Sequence, residues 1–143
     1  MSLEKKSANL DESRIRSLRE QAAHAAKNAY APYSHFHVGA ALLLEDGHVI
    51  TGCNVENASY RLTTCAEQTA IARAVAEFGP AIRIQAVAVA NLNATACQPC
   101  GACRQTIHEF STPNTVVFFP SENGTNAQAT MADLLPAAFL LSK

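Results

Sequence analysis

A chain of 143 residues has room for about one domain, and 48% hydrophobic against 16% charged residues suits a buried core rather than disorder. Its 11 basic and 12 acidic residues leave a net charge of −1 without a basic run, which argues against a nucleic-acid partner. No apolar stretch reaches the roughly 18 residues that span a membrane, and the polar start Met1–Asp11 lacks the apolar segment of a secretory signal. Five cysteines in that setting point to the reducing cytoplasm, where they serve as metal ligands, catalytic thiols or core residues rather than disulfides. The low charged fraction fits a surface partly covered by other subunits, or simply an alanine-rich monomer.

In chain order, residues 1–10 read as a disordered lead-in and 11–143 as a single domain. Ile15, Leu18, Ala22, Ala25 and Ala29 recur at helical steps, predicting a helix from Asp11 to Ala29 that Ala31-Pro32 stops. Val38–Leu44 and His48–Asn54 read as strands joined through Asp46-Gly47, a hairpin signal. A polar segment then leads into a helix over Cys65–Phe78, closed by Gly79-Pro80. Ile82–Ala90 is a β-type apolar run, Asn91–Pro99 a loop and Cys100–Phe110 a short helix. Thr115–Phe119 reads as a strand, Asn123-Gly124 as a turn and Ala127–Met131 as a weaker strand. A terminal helix is expected over Asp133–Leu141, with Pro136 near its first turn. The order αββαβαββα predicts an α/β fold, a three-layer α/β/α sandwich on a mixed five-stranded sheet whose β–α–β stretch is parallel.

The chemistry concentrates at two helix starts, Thr64-Cys65-Ala66-Glu67-Gln68 and Pro99-Cys100-Gly101-Ala102-Cys103-Arg104-Gln105. A Cys-x-x-Cys pair entering a helix can place both sulfurs on one metal, and three thiolates leave the fourth tetrahedral position of zinc open to water. Helix N-termini offset the thiolate charge through unpaired N–H groups and the macrodipole. A carboxylate beside such a water, such as Glu67, can accept and pass on its proton. Each residue also has a plainer reading. Glu67 fits a Thr64-x-x-Glu67 capping box, Cys100 and Cys103 fit a redox pair, and Cys53 fits a buried core thiol. Cys97-Gln98-Pro99-Cys100 is a second Cys-x-x-Cys, so a structural zinc on Cys65, Cys97, Cys100 and Cys103 is a further alternative on spacing alone. The rivals to a zinc enzyme are thus a thiol–disulfide oxidoreductase and a zinc-stabilised binding module.

Between Ala31 and Phe139 the chain resembles the small, tetramer-forming cytidine deaminases. The likeness rests on Tyr33–Ala41, Gly52–Tyr60, both cysteine segments and the terminal Leu134-Leu135-Pro136. The resemblance implies one zinc per chain on Cys65, Cys100 and Cys103, which excludes Cys97, and Glu67 as proton shuttle. Zinc hydroxide would then add to C4 of cytosine while Glu67 protonates N3. It further implies Phe36 as an aromatic contact to the pyrimidine, Asn54 and Glu56 as the pair binding the ribose 3′-hydroxyl, and Ala66 as a substrate contact. Ala58, Tyr60 and Phe139 match residues that complete the site of a neighbouring subunit in a homotetramer. A carboxylate at Glu56 would repel a phosphate, so a free nucleoside is the expected substrate. Two positions depart from the pattern: Gln68 stands where an arginine thought to neutralise thiolate charge is usual, and Arg61 where a small residue is common. Arg61 reads either as a solvated loop charge or as a candidate to supply part of the missing charge.

Overall fold

The computed structural model describes residues 10–143; the greater part of the expected lead-in, residues 1–9, lies outside the described residues. Asp46-Gly47 turns the chain as expected: Gly47 adopts φ 96°, a left-handed conformation that costs glycine little. The turn joins β1 (Val38–Leu44) to β2 (Val49–Cys53), paired antiparallel from Gly39 opposite Cys53 to Leu43 opposite Val49. β1 also pairs antiparallel with β3 (Ile84–Asn91), β3 pairs parallel with β4 (Ser111–Pro120), and β4 pairs antiparallel with β5 (Asn126–Thr130). The mixed sheet therefore runs β2-β1-β3-β4-β5.

Every residue of β1 is buried, because both faces of the sheet are covered. The period-2 alternation of a strand divides them. Ala41 and Leu43 join Leu18 and Ala22 of α1 (Glu12–Ala26) on one face. Ala40, Leu42 and Leu44 join the core formed with α2 (Ala66–Phe78), α3 (Gly101–Glu109) and the short α4 (Met131–Leu134) on the other. This is the expected three-layer arrangement. Two glycines bring helix backbone onto sheet backbone: a Cβ at Gly39 would lie 1.9 Å from the Ala22 carbonyl oxygen, and one at Gly52 would lie 2.4 Å from the Ala70 nitrogen and 2.7 Å from the Ala66 oxygen. Gly52 thus sets the first turn of α2, which carries Glu67, directly on β2.

Three expectations needed correction. α1 ends at Ala26 rather than Ala29, because Tyr30 is drawn into a bridge with Val55, its N–H donating to the Asn54 carbonyl at 3.0 Å. The apolar periodicity runs on past the point where that pairing demands extended backbone. β4 begins at Ser111, four residues early, and meets β3 through a register irregularity between Ile84 and Ala86. The buried Thr115 hydroxyl donates to the Ile84 carbonyl at 2.8 Å there. Finally, the terminal helix over Asp133–Leu141 is absent. α4 begins behind a Thr130 cap and stops at Leu134, since Pro136 pushes the preceding Leu135 out of the helical region, to φ −141° and ψ 71°.

Candidate active site

Cys65 is the N-cap of α2 and Cys100 the N-cap of α3, while Cys103 is the third residue of α3. With β3 between the two helices and parallel to β4, both helix starts open at the same edge of the sheet. The three sulfurs lie within 4.8 Å of one another, the one such convergence of His, Cys, Asp or Glu ligand atoms among the described residues. A tetrahedral zinc, with Zn–S near 2.3 Å, holds its sulfurs roughly 3.8 Å apart. Three soft thiols at this spacing, two of them capping helices whose N-termini favour anions, fit that ion.

Proton affinities follow the same geometry. Hydrogen bonding from Cys103 lowers Cys65 to about 7. Cys103, which gives that hydrogen bond and is buried, is raised accordingly. Cys97 lies in the same cleft but outside the sulfur triangle, and burial followed by the field of Glu67 pushes it up to about 11. A four-sulfur structural site including Cys97 is therefore not formed. A two-thiol redox pair is also a poor description, because the Cys65 sulfur lies within 4.8 Å of both Cys100 and Cys103. Cys53, expected in the core, is only half-buried at the end of β2.

Glu67 is 4% exposed. Burial raises its carboxyl above the usual range, opposed by its own backbone N–H and by Cys103. The capping-box reading of Glu67 fails by one residue. The N-cap is Cys65 rather than Thr64, and the reciprocal bond runs from the Cys65 N–H to Gln68 Oε1 at 3.2 Å. Gln68 does the capping, which leaves the Glu67 carboxyl free to face the cleft it lines together with Phe36, Val38, Asn54, Ala66 and the sulfurs. The cleft encloses about 220 Å³.

Asn54 is buried and bridges two backbone groups: Oδ1 accepts from Val38 N–H at 2.9 Å, and Nδ2 donates to the Phe36 carbonyl at 2.8 Å. The Glu56 carboxylate reaches back 23 residues to the turn before Phe36, Oε1 accepting from Tyr33 N–H at 3.0 Å and Ser34 N–H at 3.2 Å. Its Oε2 accepts from the Ser34 hydroxyl, the main reason its pKa is lowered. Ser34, which no sequence argument singled out, is thus tied to two candidate site residues. Val38, Thr63 and Gln98 also line the cleft without having been singled out. Arg104 anchors the second cysteine segment, donating through Nε to the Pro99 carbonyl at 2.8 Å and through Nη1 to the Leu134 carbonyl at 3.1 Å.

Ala58, Tyr60 and Phe139 do not line the cleft of their own chain. All three are exposed, Tyr60 by 73% and Phe139 by 67%. Arg61 sits in the 3₁₀ turn Tyr60–Leu62, exposed and without a hydrogen bond or ion pair to any described residue. Among the described residues nothing bonds it toward the sulfurs.

Among the described residues no helix is long and apolar enough to cross a membrane. Residues 12–119 match the cytidine and deoxycytidylate deaminase zinc-binding region. The chain is 45% identical over 120 residues to a cytidine deaminase of Halalkalibacterium halodurans, covering 84% of this chain and 89% of that protein. The crystal structure of a Burkholderia pseudomallei cytidine deaminase superposes with a TM-score of 0.78 at 45% identity, over 87% of this chain and 98% of that one. The Mycobacterium tuberculosis cytidine deaminase superposes with a TM-score of 0.78 at 41% identity, over 89% and 98%. With sequence, sheet order and sulfur triangle in agreement, the chain belongs to the cytidine and deoxycytidylate deaminase family.

Proposed function

We propose that this protein hydrolyses cytidine and 2′-deoxycytidine to uridine and 2′-deoxyuridine with release of ammonia, using one zinc per chain held by Cys65, Cys100 and Cys103. The observation that carries this reading is a buried carboxyl, Glu67, in the same cleft as three converging sulfurs. Zinc bound there supplies Lewis-acid chemistry that acidifies a water toward neutral pH. Glu67 takes one proton of the attacking water and delivers it to N3 of the cytosine; it then takes the proton of the hydroxyl added at C4 and passes it to the amine, which leaves as ammonia. Burial suits it to that exchange, since it raises the carboxyl above the ordinary carboxylate range and so strengthens its hold on a proton in transit. Ala66 and the ring of Phe36 flank the base.

The hydrogen-bond inventory supports a single sugar hydroxyl as the remaining contact. Asn54 Nδ2 uses one hydrogen on the Phe36 carbonyl and keeps one. On Glu56, Oε1 already accepts two N–H groups, while Oε2 accepts only the Ser34 hydroxyl and retains a lone pair. One free donor and one free acceptor match a hydroxyl that accepts from Asn54 and donates to Glu56. The 3′-hydroxyl is common to cytidine and 2′-deoxycytidine, so both fit. A nucleotide phosphate would meet the Glu56 charge.

The exposed Tyr60, Leu62, Phe139, Leu140 and Leu141 support a homotetramer in which Ala58, Tyr60 and Phe139 complete a neighbour's cleft. Five free cysteines support a reducing, cytoplasmic setting and a place in pyrimidine salvage. The test is purified protein offered cytidine, 2′-deoxycytidine, cytidine 5′-monophosphate and adenosine, with ammonia measured. Turnover of the two cytosine nucleosides is expected; a preference for the nucleotide or for adenosine would contradict the assignment.

A further inference from the structure

We infer that Ser34 is a positioning residue that sets the sugar contact and the base contact through one hydroxyl. Its Oγ accepts the Phe36 N–H at 3.0 Å. With that hydrogen bond fixing its lone-pair side, the hydroxyl hydrogen is directed at Glu56 Oε2. The result is a chain of three groups, Phe36 N–H to Ser34 O–H to the Glu56 carboxylate, each bond polarising the next. Nothing else described holds Glu56 Oε2, so without Ser34 the carboxylate can pivot about its Oε1 contacts to Tyr33 and Ser34 N–H.

The turn that carries this chain needs holding. His35, between Ser34 and Phe36, lies at φ 58°, a conformation non-glycine residues adopt only when their surroundings enforce it. Asn93 fixes the far side, accepting from His37 N–H at 3.1 Å and donating to the His35 carbonyl at 2.9 Å. Ser34 fixes the near side and is the only one of these anchors that touches Glu56. The proposal rests on the reading of Glu56 as the partner of the 3′-hydroxyl.

The experiment measures kcat and KM of wild type, Ser34→Ala and Ser34→Thr with cytidine and with 3′-deoxycytidine. With cytidine, Ser34→Ala raises KM on the order of tenfold and leaves kcat within about twofold, as expected for loss of a charge-assisted contact made equally in ground and transition states. With 3′-deoxycytidine the penalty of Ser34→Ala shrinks to about twofold, because no hydroxyl is left for Glu56 to bind. Ser34→Thr, which keeps the hydroxyl, restores the wild-type KM. An equal penalty on both substrates, or none on either, overturns the role of Ser34 while leaving the function intact. A wild-type enzyme that does not discriminate the two nucleosides overturns the hydroxyl reading, and the role of Ser34 with it.

Discussion

Cys65, Cys100 and Cys103 stand on the first turns of two helices, whereas Phe36, Asn54 and Glu56 stand in extended or irregular segments. Phe36 and Asn54 line the same cleft as the sulfurs and Glu56 is bonded to the turn before Phe36, yet the two groups are held in different ways. The sulfurs are placed by regular elements: a parallel β3–β4 pair, helices that begin at the cysteines, and Gly52 letting α2 rest on β2. The proposed sugar side is placed by side chains reaching across 16 to 23 residues, Asn54 to Val38 and Phe36, Glu56 to Tyr33 and Ser34. A change on the sulfur side should therefore strike chemistry, and a change on the sugar side should strike shape and binding together.

Glu67→Gln is expected to give the largest effect on activity. The amide keeps the shape and cannot exchange the proton, so deamination falls on the order of 10²-fold or more. Stability should hold or rise, because the variant removes a carboxyl whose ionised form burial disfavours. Steady-state kinetics beside a thermal melt check both halves; near-normal activity would leave Glu67 without a chemical role.

Asn54→Ala tests the other region. It strands the buried Val38 N–H and frees the Phe36 carbonyl, so a loss of about 1–3 kcal/mol of folding stability is expected alongside a raised KM. Denaturant unfolding and kinetics on the same preparation measure it. A raised KM with unchanged stability would show that the backbone bonds of Asn54 carry little weight and that the two regions differ less than their geometry indicates.

How much of this was legible in the sequence divides along the same line. The helix starts at Cys65 and Cys100, the Asp46-Gly47 hairpin and the parallel pairing were readable because spacing and turn chemistry are local signals. Ser34 was not, because its importance depends on Glu56 arriving from 22 residues away. The end of α1 was misjudged for a similar reason, since the pull on Tyr30 comes from Asn54 and Val55. The terminal helix failed on a local rule: Pro136 governs the residue before it, which weighed more than a tolerated place in a first turn. The capping box was legible in kind and wrong by one position, with Cys65 and Gln68 in place of Thr64 and Glu67.

That shift recasts the two departures from the family pattern. Gln68 caps α2 over Cys65, so Gln68→Ala should lower stability by about 0.5–1 kcal/mol and loosen zinc in a chelator competition. Arg61 is exposed and has no partner among the described residues, so Arg61→Gly should change stability by less than about 0.5 kcal/mol and leave zinc affinity alone. If Arg61→Gly weakened zinc and Gln68→Arg recovered it, the two positions would share a charge-balancing duty across subunits, and the sulfur side would no longer be self-contained.

The most direct measurement is X-ray absorption at the zinc edge on the purified protein, with metal content counted for wild type, Cys65→Ser and Cys97→Ser. One zinc per chain is expected, bound by three sulfurs at about 2.3 Å and one lighter atom, lost in Cys65→Ser and kept in Cys97→Ser. Four sulfurs around the metal, or zinc that departs with Cys97 and survives without Cys65, would mean a closed structural site and would contradict an open catalytic centre.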